Sequence, residues 1–385
     1  MGRKVAIVGT GQTKHKARHS DMNIVELINQ AVNRCLENAE LTINDIDAIL
    51  IGNMEHFEGI NLSDMWASDA SGALGRCGMK ITTGGSTGTS LSSAAYYYTA
   101  SGLFDTVLCV GWQKQNEGDT TAGLVSATDP IWERASFAGA FGTFGGAATQ
   151  YMMETGLTPE DAAKVAVKNK RHGRLNPYAH LHLDISVDDV LRSPMLAYPI
   201  RMLDLCPASE GACAMIMTHE DNVKKVTDKP AWISASVCRH DSAFTGDPPF
   251  FLDLRTLRSA AKEAYATADI KDPMKDLDII ELYEPVTWAE LSFLEALGIG
   301  EGGKVGELLA QGVTSIEGSL PVNLSGGVLC TNPIGATAMC RVAEAAIQIR
   351  GEGGERQANH KVNTALATGY GGNWWSDLLI LKSSL

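Results

Sequence analysis

The sequence has no long apolar run, no excess of positive charge and no paired cysteine motif, and each absence removes a class of function. No stretch reaches the roughly 18 apolar residues of a membrane span. The apolar run Val5 to Val8 is too short for a secretory signal. The opening Met-Gly carries Ala6 where myristoylation asks for Ser or Thr. These features point to a cytoplasmic protein. Lys and Arg number 32 against 45 Asp and Glu, a net charge of −13, which repels nucleic acid and anionic lipid. The eight cysteines, Cys35, Cys77, Cys109, Cys206, Cys213, Cys238, Cys330 and Cys340, form no CxxC pair and no zinc-type spacing with histidine. They read as reduced, mostly buried small hydrophobes, and no metal site is expected.

What is present is an alternation of strand and helix signals. "KVAIVGTG", "DIDAILIGNM" and "FDTVLCVGWQK" read as buried strands, and "DMNIVELINQAVNRCLENAEL" as a helix capped at Asp21. After Lys229 the order returns. "AWISASV" is a strand, "LRTLRSAAKEAYATADI" a helix, "KDLDIIELYEPV" a strand, and "SGGVLCTNPIGATAMCRVAEAAIQIRG" a glycine turn leading into a helix before the strand "NTALATGYGG". The chain is therefore expected to be a doubled α/β unit. Its parts are an N-terminal half over 1–111, a loop-rich, substrate-covering region over 112–228 that also ends the first half, and a C-terminal half over 229–385.

The segment Gly84–Gly102, "GGSTGTSLSSAAYYYTASG", has the form of a bend that presents a nucleophile, yet it holds no cysteine. Together with "SPMLAYPIRMLDLCPASEGACAMIM", "DIIELYEPVTWAELSFLEALGI", "LPVNLSGGVLCTNPIGATA" and "IRGEGGERQ", this bend resembles the thiolase superfamily, in its sterol-carrier-type branch. The resemblance spans nearly the whole chain. It implies a duplicated five-layer α/β/α/β/α thiolase fold with an inserted loop domain, a homodimer, and acyl-CoA substrates whose C–C bond is made or broken. No covalently bound cofactor is implied, and coenzyme A would be the co-substrate. It also implies a separately encoded small partner subunit with a zinc ribbon and an oligonucleotide-binding-type barrel. Within the branch the chain is most similar to the benzoylsuccinyl-CoA thiolase type of anaerobic aromatic degradation, and next to the steroid side-chain aldolases.

All four usual catalytic positions depart from the family pattern. Gly85 stands where the nucleophilic cysteine of Cys-x-Ser-Gly belongs, beside Ser86. Asn332 stands for the histidine of Gly-His-Pro, and Tyr283-Glu284-Pro285-Val286 for the Asn-Glu-x-Phe element. Gly369 or Tyr370 falls near the last cysteine. The glycine turns can still stabilise an enolate through backbone N–H groups at helix N-termini, with Gly85, Ser86, Gly327 and Gly371 as oxyanion or substrate-binding positions and the Asn332 amide as a further donor.

Cys330 is the only cysteine in a motif bordering the presumed site. It is either a relocated nucleophile, its pKa lowered by a helix end, or a buried small residue. Tyr283, Glu284 and Tyr370 are candidates for the proton shuttle. Lys168, Lys170, Arg171 and Arg174 either meet coenzyme A phosphates or form a solvated helix face. His180 and His182 lack a visible third ligand for a metal, and His172 and His240 read as structural or loop residues. Trp374 and Trp375 either narrow an acyl pocket, face a partner, or pack at a strand edge.

Three functions follow. The first is thiolysis of a branched or aromatic 3-oxoacyl-CoA, such as 2-benzoylsuccinyl-CoA, by coenzyme A. The second is retro-aldol cleavage of a 3-hydroxyacyl-CoA. The third is a non-catalytic subunit that binds acyl-CoA as a scaffold.

Overall fold

A computed structural model describes residues 2–135, 139–242, 254–371 and 375–385. Among the described residues, nine strands form the main hydrogen-bonded array, apart from a short two-stranded hairpin: β1 (Val5–Gln12), β2 (Ala48–Gly52), β3 (Cys77–Lys80), β4 (Thr106–Lys114), β5 (Glu210–His219), β6 (Ala231–Arg239), β7 (Ile279–Glu281), β8 (Thr364–Gly371) and β9 (Trp375–Lys382). The first half runs in the order β3-β2-β4-β5-β1, and the second in the order β7-β8-β9-β6. Each pairing recurs. β2–β4 and β7–β8 are parallel, while β4–β5, β8–β9, β5–β1 and β9–β6 are antiparallel. The counterpart of β3 is reduced to one parallel bridge, Ile280 to Val322. The two sheets meet where Ala6 and Ile7 pair with Trp232 and Ala231.

The helices that position the site are α1 (Ile24–Ala39), α2 (Asp64–Ser71), α3 (Thr87–Ala100), α4 (Gly139–Thr155), α5 (Pro159–Leu175), α6 (Arg255–Ala268), α7 (Thr287–Ala296), α8 (Gly327–Cys330) and α9 (Ile334–Arg350). Strand alternation divides the core between layers. Ala6 and Val8 pack outward against α1 and α2, whereas Val5 and Ile7 face inward, where α3 and α9 lie between the sheets. α6 and α7 cover the outer face of the second sheet. Of the 17 residues of α9, 15 are buried, as a helix enclosed on both sides requires. Its contact with α3 is close because Gly88 has no side chain: a Cβ there would lie 2.1 Å from the Met339 nitrogen. This is the five-layer architecture that the family resemblance implies, built from the doubled unit that the sequence repeat predicts.

Two local expectations differ. The cap of α1 is Asn23 rather than Asp21, because Asn23 and Glu26 bond reciprocally to each other's backbone N–H at 2.9 Å. The region read as loop-rich carries α4 and α5, each 17 residues long. Among the glycines of "FAGAFGTFGG" that suggested a loop, Gly145 serves close packing instead. A Cβ on Gly145 would lie 2.9 Å from the Tyr198 carbonyl oxygen, so a glycine lets α4 cross the short hairpin Met195–Ala197 and Ile200–Arg201. Among the described residues no helix is long and apolar enough to cross a membrane.

Candidate active site

The bend before α3 enters the molecular interior with Gly85, Ser86 and Thr87 all buried. Gly85 has no room for any side chain. A Cβ there would lie 2.6 Å from the Tyr370 carbonyl oxygen and 2.8 Å from the Tyr283 hydroxyl. The space of a cysteine side chain is thus taken by a phenol from the other half of the molecule. Gly371 closes the same corner, since a Cβ on it would stand 2.4 Å from the Ser86 nitrogen.

Tyr283 follows β7, and its backbone N–H donates to the Thr368 hydroxyl at 2.8 Å. Its ring lies 6.5 Å from that of Tyr370, which sits 5.2 Å from Phe293. Burial pushes both phenols well above the ordinary tyrosine range, helped at Tyr283 by neighbouring Cys206 and at Tyr370 by Tyr283 itself. Both are therefore neutral hydrogen-bond donors at physiological pH. Tyr283, Val328 and Ala338 form a small cluster against which Cys206 and Tyr370 pack.

Asn332, just before α9, completes this group. Its Nδ2 donates to Cys206 Sγ at 3.2 Å, and its Oδ1 accepts from the Thr337 hydroxyl at 2.8 Å. Cys206 went unassigned in the sequence, where it read as one of the buried thiols. It is half-buried, and burial together with nearby Glu284 pushes its thiol up to about 12. Its presence inside the motif "CPASEG", which runs into β5, was the available signal.

Several sequence candidates lie elsewhere. Cys330 closes α8 and turns away from Asn332 toward α5, where its thiol donates to the Asn169 carbonyl at 3.3 Å. Its thiol is pushed up to about 11, chiefly by burial, the opposite of the lowering expected from a helix end. Desolvation of a thiolate outweighs the pull of so short a helix. Glu284 is also enclosed. Its Oε1 accepts from Leu329 N and Asn169 Nδ2, both at 3.2 Å, beneath Gly327. Burial and adjacent Glu290 raise its carboxyl to about 8.

The basic cluster on α5 splits. Lys168 and Lys170 point inward, Lys168 to Glu290 at 2.9 Å and Lys170 to the Leu329 carbonyl, so neither is available to a phosphate. Their charges answer the buried acids of α7 and the segment before it, a match that helical spacing alone does not reveal. Arg171 pairs with Glu317 on the surface, and Arg174 with Asp184 at 2.7 Å. Arg174 also lines a cavity of about 910 Å³ with Arg34 and Arg356, which shares no lining residue with the phenol site.

His172 is buried between the Asn323 carbonyl and the Ile316 N–H. His182 meets the Asn176 carbonyl at 2.9 Å, and His180 the Ser209 hydroxyl at 2.9 Å. Trp375 opens β9, lies against His240 with 3.8 Å between ring centroids and the rings tilted by 49°, and donates its indole N–H to Cys238 Sγ at 2.7 Å. Trp374 lies outside the described residues.

The doubled α/β scaffold brings the bend before α3, two phenols and a carboxamide to one interior corner, where their N–H and O–H groups are of a kind that can donate to a carbonyl oxygen. The chain belongs to the thiolase family: residues 5–221 match the model of the thiolase N-terminal domain, and residues 239–383 that of the thiolase C-terminal domain-like region. It is similar to an acetyl-CoA acetyltransferase of Methanothermobacter thermautotrophicus, 30% identical over 360 residues that make up 92% of this chain and 93% of that one. It is also similar to benzoylsuccinyl-CoA thiolase subunit BbsB of Thauera aromatica, 27% identical over 91% of this chain and 90% of the relative. Among solved structures, the Ltp2-ChsH2(DUF35) aldolase superimposes with a TM-score of 0.85 at 23% identity, covering 99% of this chain and 98% of that one.

Proposed function

We propose that this protein cleaves the Cα–Cβ bond of a 3-hydroxyacyl-CoA by retro-aldol chemistry. The observation that carries the reading is the filled slot at Gly85, where the Tyr283 hydroxyl and the Tyr370 carbonyl leave no place for a nucleophile. Thiolysis needs an acceptor thiol for the acyl group; a retro-aldol step does not. The β-hydroxyl loses its proton and closes to a carbonyl, and the Cα–Cβ electron pair flows into the thioester as an enolate. Cα then takes up a proton. An aldehyde or ketone leaves, and a shortened acyl-CoA remains.

The proton lost and the proton gained balance, so a relay suffices. Tyr283 and Tyr370, both neutral, pass it on, each oxygen accepting one hydrogen as it gives up another. The enolate oxygen is met by Asn332 Nδ2 and by the backbone N–H groups at the start of α3.

A second reading, thiolysis of a branched or aromatic 3-oxoacyl-CoA such as 2-benzoylsuccinyl-CoA, is supported by the names of the two relatives and by the Cys206 thiol beside Asn332. A homodimer and a separate small subunit accompany either reading. The relative BbsB is itself a subunit, and the aldolase of similar fold is a complex with a DUF35 component.

The test is cleavage of a series of 3-hydroxyacyl-CoA and 3-oxoacyl-CoA esters, with and without free coenzyme A and with candidate small subunits added. Release of a carbonyl product without free coenzyme A, abolished by Tyr283→Phe and retained by Cys206→Ala and Cys330→Ala, is expected. Strict dependence on free coenzyme A with loss of activity in either cysteine variant would establish thiolysis instead. Tight acyl-CoA binding with no turnover under any condition would identify a scaffold subunit.

A further inference from the structure

We propose that Thr337 and Ser209 are positioning residues that fix the Asn332 carboxamide with its N–H2 toward the substrate carbonyl. The inference rests on the reading of Asn332 as a donor to the thioester oxygen, and it is independent of whether a carbonyl compound or an acyl group then departs.

A carboxamide has a donor end and an acceptor end of nearly equal shape, so its usefulness to a developing oxyanion depends on which end faces it. The structure holds Asn332 from two sides. Its backbone is clamped to Ser209, whose N–H donates to the Asn332 carbonyl and whose hydroxyl accepts from the Asn332 N–H, both at 3.1 Å. The Ser209 hydroxyl also hydrogen-bonds His180 Nδ1 at 2.9 Å, with the direction set by the imidazole tautomer. Burial, with His15 nearby, lowers the His180 ring to about 4, so the imidazole beside this clamp is neutral.

Thr337 is fully buried in the first turn of α9. A helical threonine commonly returns its hydroxyl to the carbonyl one turn back. Here the hydroxyl donates instead to Asn332 Oδ1 at 2.8 Å. With that oxygen engaged, Nδ2 is turned to the other side, 3.2 Å from Cys206 Sγ, and Cys206 in turn packs against the cluster that holds Tyr283. Sulfur is a weak acceptor, so this N–H is readily redirected to an anionic oxygen. A reversed amide would set one oxygen against another at the point where negative charge develops.

The experiment compares Thr337→Val, which keeps the shape and removes the hydroxyl, with Thr337→Ser, which keeps the hydroxyl. Asn332→Ala serves as reference, and kcat and KM are measured on whichever acyl-CoA the full-length protein turns over. Loss of a donor to an oxyanion costs about 10²–10³ in kcat. Asn332→Ala is expected to show that loss. Thr337→Val is expected to lose about 10–100-fold in kcat at unchanged KM, a fraction of the full donor effect, and Thr337→Ser to recover most of it.

Wild-type kcat in Thr337→Val beside a collapsed Asn332→Ala overturns the positioning role and leaves the donor role standing. Wild-type kcat in Asn332→Ala overturns the donor reading itself. If Thr337→Val does not fold, Ser209→Ala tests the same clamp from its other side, with a lowered kcat at unchanged KM supporting it and an unchanged kcat overturning it.

Discussion

The two halves of the molecule share one strand order and one set of pairings, yet their glycine bends do different work. The first bend, at Gly84 to Ser86, contributes backbone alone, and the space in front of it belongs to Tyr283 and Tyr370 of the second half. The second bend, before α9, contributes a side chain, the Asn332 carboxamide, with its own supporting bonds. The scaffold is symmetric, while the phenols and the carboxamide proposed to act lie in one half of it. A fold can therefore retain both helix N-termini, the parts that serve any carbonyl chemistry, and exchange the parts that decide which bond breaks.

The largest expected effect tests whether the phenol that crosses from the second half carries the chemistry. Tyr283→Phe should lower kcat by about 10²–10⁴-fold, the range for loss of a general acid or base, with Tyr370→Phe in the same range. Steady-state kinetics on the cleaved ester measures it, and a fall of less than tenfold would return the chemistry to another group.

Restoring the missing thiol is the complementary test. Gly85→Cys should destabilise the fold by about 1–3 kcal/mol through overpacking without creating thiolase activity, as read by denaturant unfolding and a coenzyme A-dependent assay. A stable, thiolytic variant would show that the slot can open.

The acids under the second bend give a pH dependence. Glu284 titrates at about 8 in the fold against an ordinary 4.5, because burial and Glu290 oppose its ionisation. The folded state therefore binds this proton more tightly than the unfolded chain does. Its stabilising contribution is complete below about 4.5 and is lost as pH rises through about 8. The thermal midpoint should fall from pH 6 to pH 9, and Glu284→Gln should flatten that slope; an unchanged slope would assign the effect to other groups. The smallest effect is expected at Cys330. Cys330→Ala should leave kcat and KM unchanged, and a collapse of turnover would restore the relocated-nucleophile reading.

Much of the fold was legible because buried strands and glycine turns leave local marks. "KVAIVGTG" and "NTALATGYGG" mark β1 and β8 by apolar runs that end in glycine, and the repeated order gave the duplication. Four residues that the structure brings together, Tyr283, Asn332, Tyr370 and Gly85, were singled out by their positions within motifs.

What escaped is set by contacts distant in sequence. Lys168 and Lys170 look like a solvated stripe until α5 is seen against Glu290 and the Leu329 carbonyl. Cys330 shares its turn with Asn332, but the backbone between them sends the two side chains to opposite sides, one to Asn169 and one to Cys206. The helical state of Gly139–Thr155 depends on the hairpin it crosses, which glycine composition alone does not announce.

The crowding at Gly85 also constrains how such a protein changes over generations. A thiol at position 85 and a phenol at position 283 exclude one another. A side chain can enter at position 85 only if the phenol at position 283 and the strand end at Tyr370 give way together, so a change at one of these positions constrains what the others can become.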